Sequence, residues 1–330
     1  MVTSEPLNRY VAALTDTFRR VRDKREAHYQ SCRVLCDMAA DPRVMTAVLQ
    51  AHLGRPGTLN WKHYPVLGME IEHNPYYTLV ANCWIPLPGR ETDVSTKTVH
   101  HHGNMLLTTV TAFGPGYEHW TFTRPEVVDP EQELYAMTVI ERGPHPRQHV
   151  AFVDAFIGHV PLYPGSLSIT LALWSNQFPT TWRDVLKRVP MFKGREETLR
   201  QLAARVGLTR ALDLKVIQYF DFYPTTAGFK GMKERVEFDL GPNEDYLYSL
   251  FHVLQQTGNE ALGRLVRERL QADAVQDRPL VSTLLADLES GCRVEGRLSD
   301  CHLRVPHATF RAAEIERALA ASRPAAPRKA

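Results

Sequence analysis

Hydrophobic spacing changes twice along the chain and separates two helical ends from a strand-rich middle. Near the start, apolar residues recur every three or four positions, the spacing of an amphipathic helix. These residues are Tyr10, Leu14, Phe18 and Val21. A second such series follows Asp41-Pro42, which is a typical helix-start signal. We therefore predict an N-terminal helical segment over residues 1–58.

The middle of the chain, residues 59–178, has shorter apolar runs that are interrupted by proline and glycine. The candidate strands are 77–85, 105–113, 134–140, 149–156 and 167–174. Short strands at this spacing are typical of an all-β barrel or jelly roll. We predict such a barrel here, which gives the whole chain a mixed α and β fold with helices on both sides of the barrel.

Helical spacing returns after Pro179 and predicts a large C-terminal helical region over residues 179–321. The predicted helices are 196–206, 246–270, 280–288 and 309–319. The loop 222–231 alternates glycines and polar residues with aromatics, so it is either a lid or an ordinary connection. The final residues, 322–330, are rich in proline and alanine and are expected to form a disordered tail.

Composition indicates a folded protein without a strong overall electrostatic field. The chain has 330 residues, of which 44% are hydrophobic and 23% charged, and a net charge of +2 from 39 basic and 37 acidic residues. This balance does not favour nucleic acid or membrane surfaces as partners. There is no membrane-spanning apolar run or secretory signal, and the 5 cysteines do not suggest a disulfide framework. We therefore expect a cytoplasmic protein with free thiols.

Two histidines in the middle segment carry the main chemical signal. His100 and His102 are one residue apart on an extended stretch, so their side chains point to the same side while that of His101 points away. A third histidine from a later strand would complete a three-nitrogen face for a divalent metal. His159 is the preferred third ligand, and His149 is its alternative.

Residues 77–176 resemble a cupin in their order of strands, turns and histidines. The stretch has a strand, a proline-glycine turn, His-x-His, a strand ending at Gly114, and then His159 before a second proline-glycine turn and a last strand. The common cupin pattern places a glutamate where this chain has Leu106 or Leu107. The chain therefore resembles the three-histidine cupins, of which the thiol dioxygenases are the familiar case. The resemblance implies metal binding by His100, His102 and His159.

Two departures from that pattern separate this chain from the thiol dioxygenases. The second cupin motif usually has an asparagine where this chain has Tyr163. On the last strand, thiol dioxygenases place Ser, His and Tyr at alternate positions, and this chain has Thr170, Ala172 and Trp174. Those side chains assist thiol substrates in that family, so their absence argues against thiol oxidation.

The charge on a bound metal indicates which substrates to expect. Three neutral imidazoles leave the full +2 charge on a bound metal, which favours an anionic or chelating substrate. We expect an iron(II) oxygenase that uses O2 on a small organic molecule, with nickel, manganese, copper or zinc as other metals that histidine binds. One alternative is an isomerase or lyase that uses the metal as a Lewis acid. Another is a non-enzymatic ligand-sensing cupin with a helical interaction domain. No general base is assigned.

Several other residues near the histidines have both a structural and a functional interpretation. Four aromatic residues either shape an apolar pocket or belong to the core: Trp84, Trp120, Tyr163 and Trp174. His119 is expected to be an exposed or hydrogen-bonded side chain. Glu118 would supply a carboxylate ligand only in a different strand register.

The remaining motifs are interpreted structurally. Cys32 and Cys36 share a helix face and are expected to be half-buried thiols rather than a zinc site. A looser cluster has little metal-binding character: Cys292, Cys301, His302 and His307. Residues 199–209 resemble a helix-turn-helix start, but 210–220 is mostly apolar and is interpreted as a core helix, so DNA binding is not expected. The helical regions are a candidate surface for homodimer formation.

Overall fold

The N-terminal segment is helical, as predicted. The computed structural model describes residues 5–62, 66–86, 99–129, 131–132, 134–162, 164–177, 218–223, 228–231 and 243–294. It begins with α1 (Glu5–Arg20), α2 (Lys24–Ala40) and α3 (Pro42–Leu53). The Asp41 carboxylate accepts a hydrogen bond from the Arg43 backbone N–H, and Pro42 opens α3. Both features are standard helix-start chemistry, so the predicted start is confirmed.

The described strands are more numerous than the five that the sequence pattern predicts, and the single strand predicted over 134–140 is wrong, because Met137 and Thr138 separate two strands there. In chain order they are β1 (Val66–His73), β2 (Thr78–Trp84), β3 (Val99–His101), β4 (Met105–Phe113), β5 (Tyr117–Phe122), β6 (Glu126–Asp129), β7 (Leu134–Ala136), β8 (Val139–His145), β9 (Val150–Val153), β10 (His159–Pro161), β11 (Ser168–Asn176), β12 (Gln218–Tyr223) and β13 (Gly228–Gly231).

These strands form two antiparallel sheets. The five-stranded sheet has the order β1-β2-β11-β4-β9, and the eight-stranded sheet has the order β6-β7-β13-β12-β3-β10-β5-β8. In the centre of the first sheet, Leu171 of β11 lies between Ala81 of β2 and Val110 of β4. The described residues therefore confirm a mixed fold of helices and antiparallel sheets.

The five-stranded sheet separates two apolar regions, because alternate residues of a strand face opposite sides. On one side, Val110 and Leu171 join the large core that includes Leu14 and Phe18 of α1. On the other side, Leu107, Val153 and Ala172 form a smaller apolar cluster, with Ile157 and Trp174 packed against it. This second side is the interior between the sheets, and the histidines described below lie there.

Residues 243–294 are helical, in agreement with the predicted C-terminal helices. They form α4 (Asn243–Gln256), α5 (Gly263–Ala272) and α6 (Arg278–Ser290), which pack into the same large core as the N-terminal helices. The single helix predicted over 246–270 is wrong, because a turn separates α4 from α5. Gly258 in that turn has a φ of 68°, which a helix cannot accommodate.

Two segments after residue 210 are strands, which corrects the sequence-based prediction. β12 pairs with β3 and β13, and β13 pairs with β7. The core helix predicted over 210–220 is therefore wrong for 218–220, and the loop predicted over 222–231 is wrong in its described part. Short apolar runs do not distinguish strand from helix by periodicity alone, and here the partner strands decide.

Other predictions remain untested by the structure. The helices 196–206 and 309–319, the helix-turn-helix-like 199–209 and the tail 322–330 lie outside the described residues. The segment boundaries at 58, 178 and 321 stay predictions. Within the ranges that are described, no helix has both the length and the apolar character needed to cross a membrane.

Candidate metal centre

His102 and His159 meet between the two sheets although 57 positions separate them in the chain. The Nδ1 atom of His102 lies 3.2 Å from the Nε2 atom of His159. Two nitrogens bonded to one ion at about 2.0–2.1 Å are separated by about 3 Å when they are adjacent ligands. The two predicted ligands therefore have a separation that suits a shared metal ion.

Backbone pairing places the His100 backbone next to that of His159. The backbone of His159 in β10 pairs with that of His100 in β3, and on its other side with Thr121 in β5. Within the residues whose side chains are described, no group of three or more histidine, cysteine, aspartate or glutamate side chains is arranged to hold a metal. A three-histidine set therefore depends on His100 and remains a prediction.

The turn after His102 and the loop before His159 are tied together by their backbones. The Phe156 N–H donates a hydrogen bond to the Gly103 carbonyl at 2.8 Å. Phe156 has a φ of 63° and Gly103 a φ of 59°, so both adopt the left-handed conformation. For phenylalanine this conformation is strained, and tertiary contacts must hold it. The loop is thus fixed next to the His102–His159 pair.

His119 is a third described imidazole in this cluster, which the sequence interpretation did not include. Its Nε2 atom lies 3.1 Å from the Nδ1 atom of His159, on the side of the ring opposite to His102. The expectation that His119 would be a hydrogen-bonded or exposed side chain is confirmed. The alternation along β5 was the available signal, since it places His119 on the same face as Tyr117.

Glu118 and Trp120 lie on the other face of β5. The Trp120 Nε1–H donates to the Glu118 carboxylate at 2.6 Å. Glu118 therefore does not join the histidines, as expected for the strand register that the sequence favours. Of the two interpretations of Trp120, the core residue is confirmed, because Trp120 is buried and alternation turns it away from the face of β5 that carries His119.

One wall of the cluster is apolar. The Trp174 ring contacts the His102 ring edge to face, with centroids 4.4 Å apart. Leu107, Ala172 and Val153 pack beside Trp174. Leu107 occupies one of the two positions where the cupin pattern has glutamate, and it faces this interior, so β4 brings no carboxylate to the histidines.

A polar network occupies another part of the interior. The Trp84 Nε1–H donates to the Thr170 hydroxyl at 3.0 Å, and the Tyr117 ring packs on Trp84 with centroids 4.6 Å apart. Burial raises the pKa of Tyr117, while its hydrogen bonds with Thr109 and Thr170 act in the opposite direction. The Tyr117 hydroxyl therefore stays protonated at neutral pH.

His149, the alternative third ligand, pairs with a different histidine. Its Nδ1 atom lies 3.0 Å from the Nδ1 atom of His145, and the Nε2 atom of His145 lies 2.8 Å from the Thr109 hydroxyl. Burial, followed by the charges of His119 and His149, lowers the pKa of His145 to about 3. His145 is therefore neutral over the whole physiological range.

The cysteines behave as expected where they are described. Cys32 and Cys36 are half-buried free thiols on α2, and Cys292 is an exposed free thiol. Burial is the main cause that raises the pKa values of Cys32 and Cys36, so neither is activated as a thiolate. Cys301, His302 and His307 lie outside the described residues.

Together, the fold and site define a helix-flanked pair of antiparallel sheets with histidines between them. No protein-family model and no curated protein sequence matches the chain. Among solved structures, it is similar to the TT1209 protein from Thermus thermophilus, with 13% identity over 34% of this chain and 89% of that one, and a TM-score of 0.24.

Two further solved structures are similar to this chain with equally low identities and TM-scores. An uncharacterized protein with a double-stranded β-helix domain from Klebsiella pneumoniae has 9% identity over 40% of this chain and 90% of its own, with a TM-score of 0.24. An oxalate decarboxylase variant from Bacillus subtilis has 13% identity over 47% and 38%, with a TM-score of 0.22. Similarities this low carry no argument about activity, so functional conclusions rest on the residues of this chain.

Proposed function

We propose that this chain is a metal-dependent cupin enzyme that oxidises a small organic molecule with O2. Its metal, iron(II) in the first instance, would be held by His100, His102 and His159. The observation that carries the proposal is the 3.2 Å separation between His102 Nδ1 and His159 Nε2 beside an apolar wall. The cupin-like order of strands and histidines in the sequence supports the same conclusion.

The nitrogens of the three proposed histidine ligands suit a transition metal, because imidazole binds such metals well. Neutral imidazoles suit iron, copper, nickel and zinc, whereas a carboxylate-rich site would suit magnesium or calcium. Leu107 faces the histidines where a carboxylate would otherwise reduce the charge of the ion. When bound, the metal would offer its remaining positions to O2 and to an anionic or chelating substrate.

The surrounding side chains have distinct roles in this proposal. His119 contacts His159 Nδ1 and thereby orients the ring so that Nε2 faces His102. Trp174 and Leu107 exclude water from one side of the histidines and would contact an apolar part of the substrate. Tyr117 stays protonated and can serve as a hydrogen-bond donor but not as a base.

Metal content and oxygen consumption test the proposal. Metal-free protein is loaded with iron(II) without air, and bound iron is measured by mass spectrometry in wild type, His102→Ala and His159→Ala. His73→Ala is the matched control, since His73 is exposed on β1. We expect both site variants to bind about one iron per chain fewer than wild type and control.

The same samples distinguish the proposed reaction from its alternatives. Oxygen uptake is followed with small acids, thiols and amines as substrates. Uptake that requires both iron and His102 supports the oxygenase. Turnover without oxygen uptake would indicate the isomerase or lyase, and ligand binding without any turnover would indicate the sensor. Folded His102→Ala and His159→Ala proteins that bind as much iron as wild type would contradict the proposed site.

A further inference from the structure

A second pair of histidines lies at the turn between β8 and β9. His145 is the last residue of β8, and His149 follows four positions later. The turn folds back on itself: the His149 N–H donates to the Pro146 carbonyl at 3.0 Å, and Gln148 has a φ of 65°. This backbone brings the two rings together, with their Nδ1 atoms 3.0 Å apart.

Neighbouring strands brace this turn. The Gln148 N–H donates to the Thr111 carbonyl at 2.9 Å, and the Thr111 hydroxyl donates to the His145 carbonyl at 2.8 Å. Gly116 approaches so closely that a Cβ at that position would lie 1.9 Å from the His145 carbonyl oxygen. The two imidazoles are therefore presented by a fixed backbone, which is the condition for a preorganised binding site.

The chemistry of His145 suits metal binding through Nδ1. Its Nε2 atom lies 2.8 Å from the Thr109 hydroxyl, and a hydroxyl can accept a hydrogen bond from an imidazole N–H. With the proton on Nε2, the lone pair of Nδ1 faces His149, as in metal sites where the second ring nitrogen is fixed by an outer hydrogen bond.

We propose that His145 and His149 bind one divalent transition metal ion through their Nδ1 atoms. Metal–nitrogen bonds of about 2.0–2.1 Å place adjacent nitrogens about 3 Å apart when the angle at the metal is near 90°. An angle near 90° belongs to square-planar or octahedral coordination, so the site favours Ni²⁺ or Cu²⁺ over tetrahedral Zn²⁺. His149 is exposed, which leaves the other positions of the ion open to water or a small chelating molecule.

The site is separate from the one proposed at His102 and His159. His119 lies between them: its ring centroid is 5.4 Å from that of His159 and 6.4 Å from that of His145. The Nε2 atom of His119 is directed to His159, not to His145. Either site can therefore be removed without removing the ligands of the other.

Titration of the metal-free full chain with Ni²⁺ tests the inference, and the protein must carry no histidine tag. Isothermal calorimetry should show one more Ni²⁺ site in wild type than in His149→Ala, or affinity at that site at least about tenfold weaker in the variant. His149 is exposed, so we expect its replacement to leave the fold intact. His149→Gln keeps a hydrogen-bonding side chain and should bind as weakly as His149→Ala, whereas the exposed-site control His73→Ala should bind like wild type.

His102→Ala removes the other proposed ion and should leave the His145–His149 site unchanged. Equal Ni²⁺ stoichiometry and affinity in wild type, His149→Ala and His149→Gln would overturn the inference. In that case the 3.0 Å contact is a hydrogen bond between two imidazoles and nothing more. This result would not depend on whether iron binds at His102 and His159.

Discussion

The indole ring of Trp174 meets the imidazole of His102 edge to face, at an interplanar angle of 77° and a centroid distance of 4.4 Å. Trp174 lies on β11 and His102 follows β3, so the contact joins the two sheets of the fold. It also fixes one side of the imidazole while His159 lies on another. The orientation of the proposed ligand thus depends on an aromatic residue that cannot bind the metal itself.

Replacing Trp174 should weaken metal binding in proportion to the loss of this contact. Edge-to-face aromatic pairs contribute about 0.5–1.5 kcal/mol, which corresponds to roughly a 2- to 12-fold change in affinity. We expect a loss in this range for Trp174→Ala and a smaller one for Trp174→Phe, which retains a ring. Equal iron affinities in wild type and Trp174→Ala, measured by competition with a chelator, would contradict this positioning role.

Replacing Leu107 with glutamate should destabilise the metal-free protein and strengthen its binding of a metal ion. Leu107 is buried on the histidine side of β4, so a glutamate there costs on the order of 2–4 kcal/mol in the absence of metal. We expect Leu107→Glu to unfold at a lower temperature than wild type without metal, and to gain more stability when a divalent ion is added.

Leu106→Glu is the matched control for that experiment. Leu106 is equally buried but lies on the opposite face of β4, in line with Thr108, which contacts α2. Leu106→Glu should be less stable than wild type without metal, and a divalent ion should stabilise it no more than it stabilises wild type. Similar metal-induced shifts in the two variants, followed by calorimetry, would show that Leu107 does not face the metal ligands.

His28 should make the fold sensitive to acid. This buried residue of α2 bridges two strands: its Nδ1 lies 2.7 Å from the Thr108 hydroxyl and its Nε2 2.9 Å from the Ser175 hydroxyl. Burial, with a smaller effect from the charge of Lys24, lowers the pKa of His28 from 6.5 to about 3. Between these pH values the unfolded chain binds the proton and the folded chain does not, so stability falls as the pH drops from 6.5 towards 3.

Urea unfolding at pH 7.5 and pH 5 measures this contribution. We expect His28→Gln to be less stable than wild type at pH 7.5, because the two strand contacts are disturbed. Between pH 7.5 and pH 5, however, its free energy of unfolding should fall by on the order of 1–2 kcal/mol less than that of wild type. His52 and His145, whose burial lowers their pKa values to about 4 and about 3, keep part of the acid sensitivity. The exposed-site variant His73→Gln should follow the wild-type pH dependence, and a His28→Gln protein that also follows it would contradict the assignment.

Gly114 should tolerate no side chain. Its φ is 76°, and a Cβ would lie 2.0 Å from the Leu167 carbonyl oxygen. Gly57 has a similar φ of 72° but nothing within 4 Å of the same position, so it isolates the cost of the backbone conformation. We expect Gly57→Ala to cost about 1 kcal/mol and Gly114→Ala at least about 3 kcal/mol in the free energy of unfolding. Equal losses in the two variants would show that the strands can separate to admit the methyl group.

Local patterns in the sequence predicted most of the elements that the structure describes. The strand predicted over 105–113 coincides with β4, because the stretch is rich in apolar and β-branched residues and Gly114 follows it. The start of α3 follows from Asp41 and Pro42, whose effects act within one helical turn. Alternation along a strand also separates Glu118 from His119 without knowledge of the partner strands.

The partners across the sheets could not be predicted in this way. His119 and His159 are 40 positions apart and meet only because β5 pairs with β10, while His28 reaches Thr108 across 80 positions. Residues 218–223 became a strand because β3 and β13 lie on either side of them. The sequence by itself determined the start of α3, the extent of β4 and the face that each strand residue takes, since these depend on neighbours within a few residues. Only the tertiary structure decided which histidines share a site, because strand register is set by the packing of distant segments.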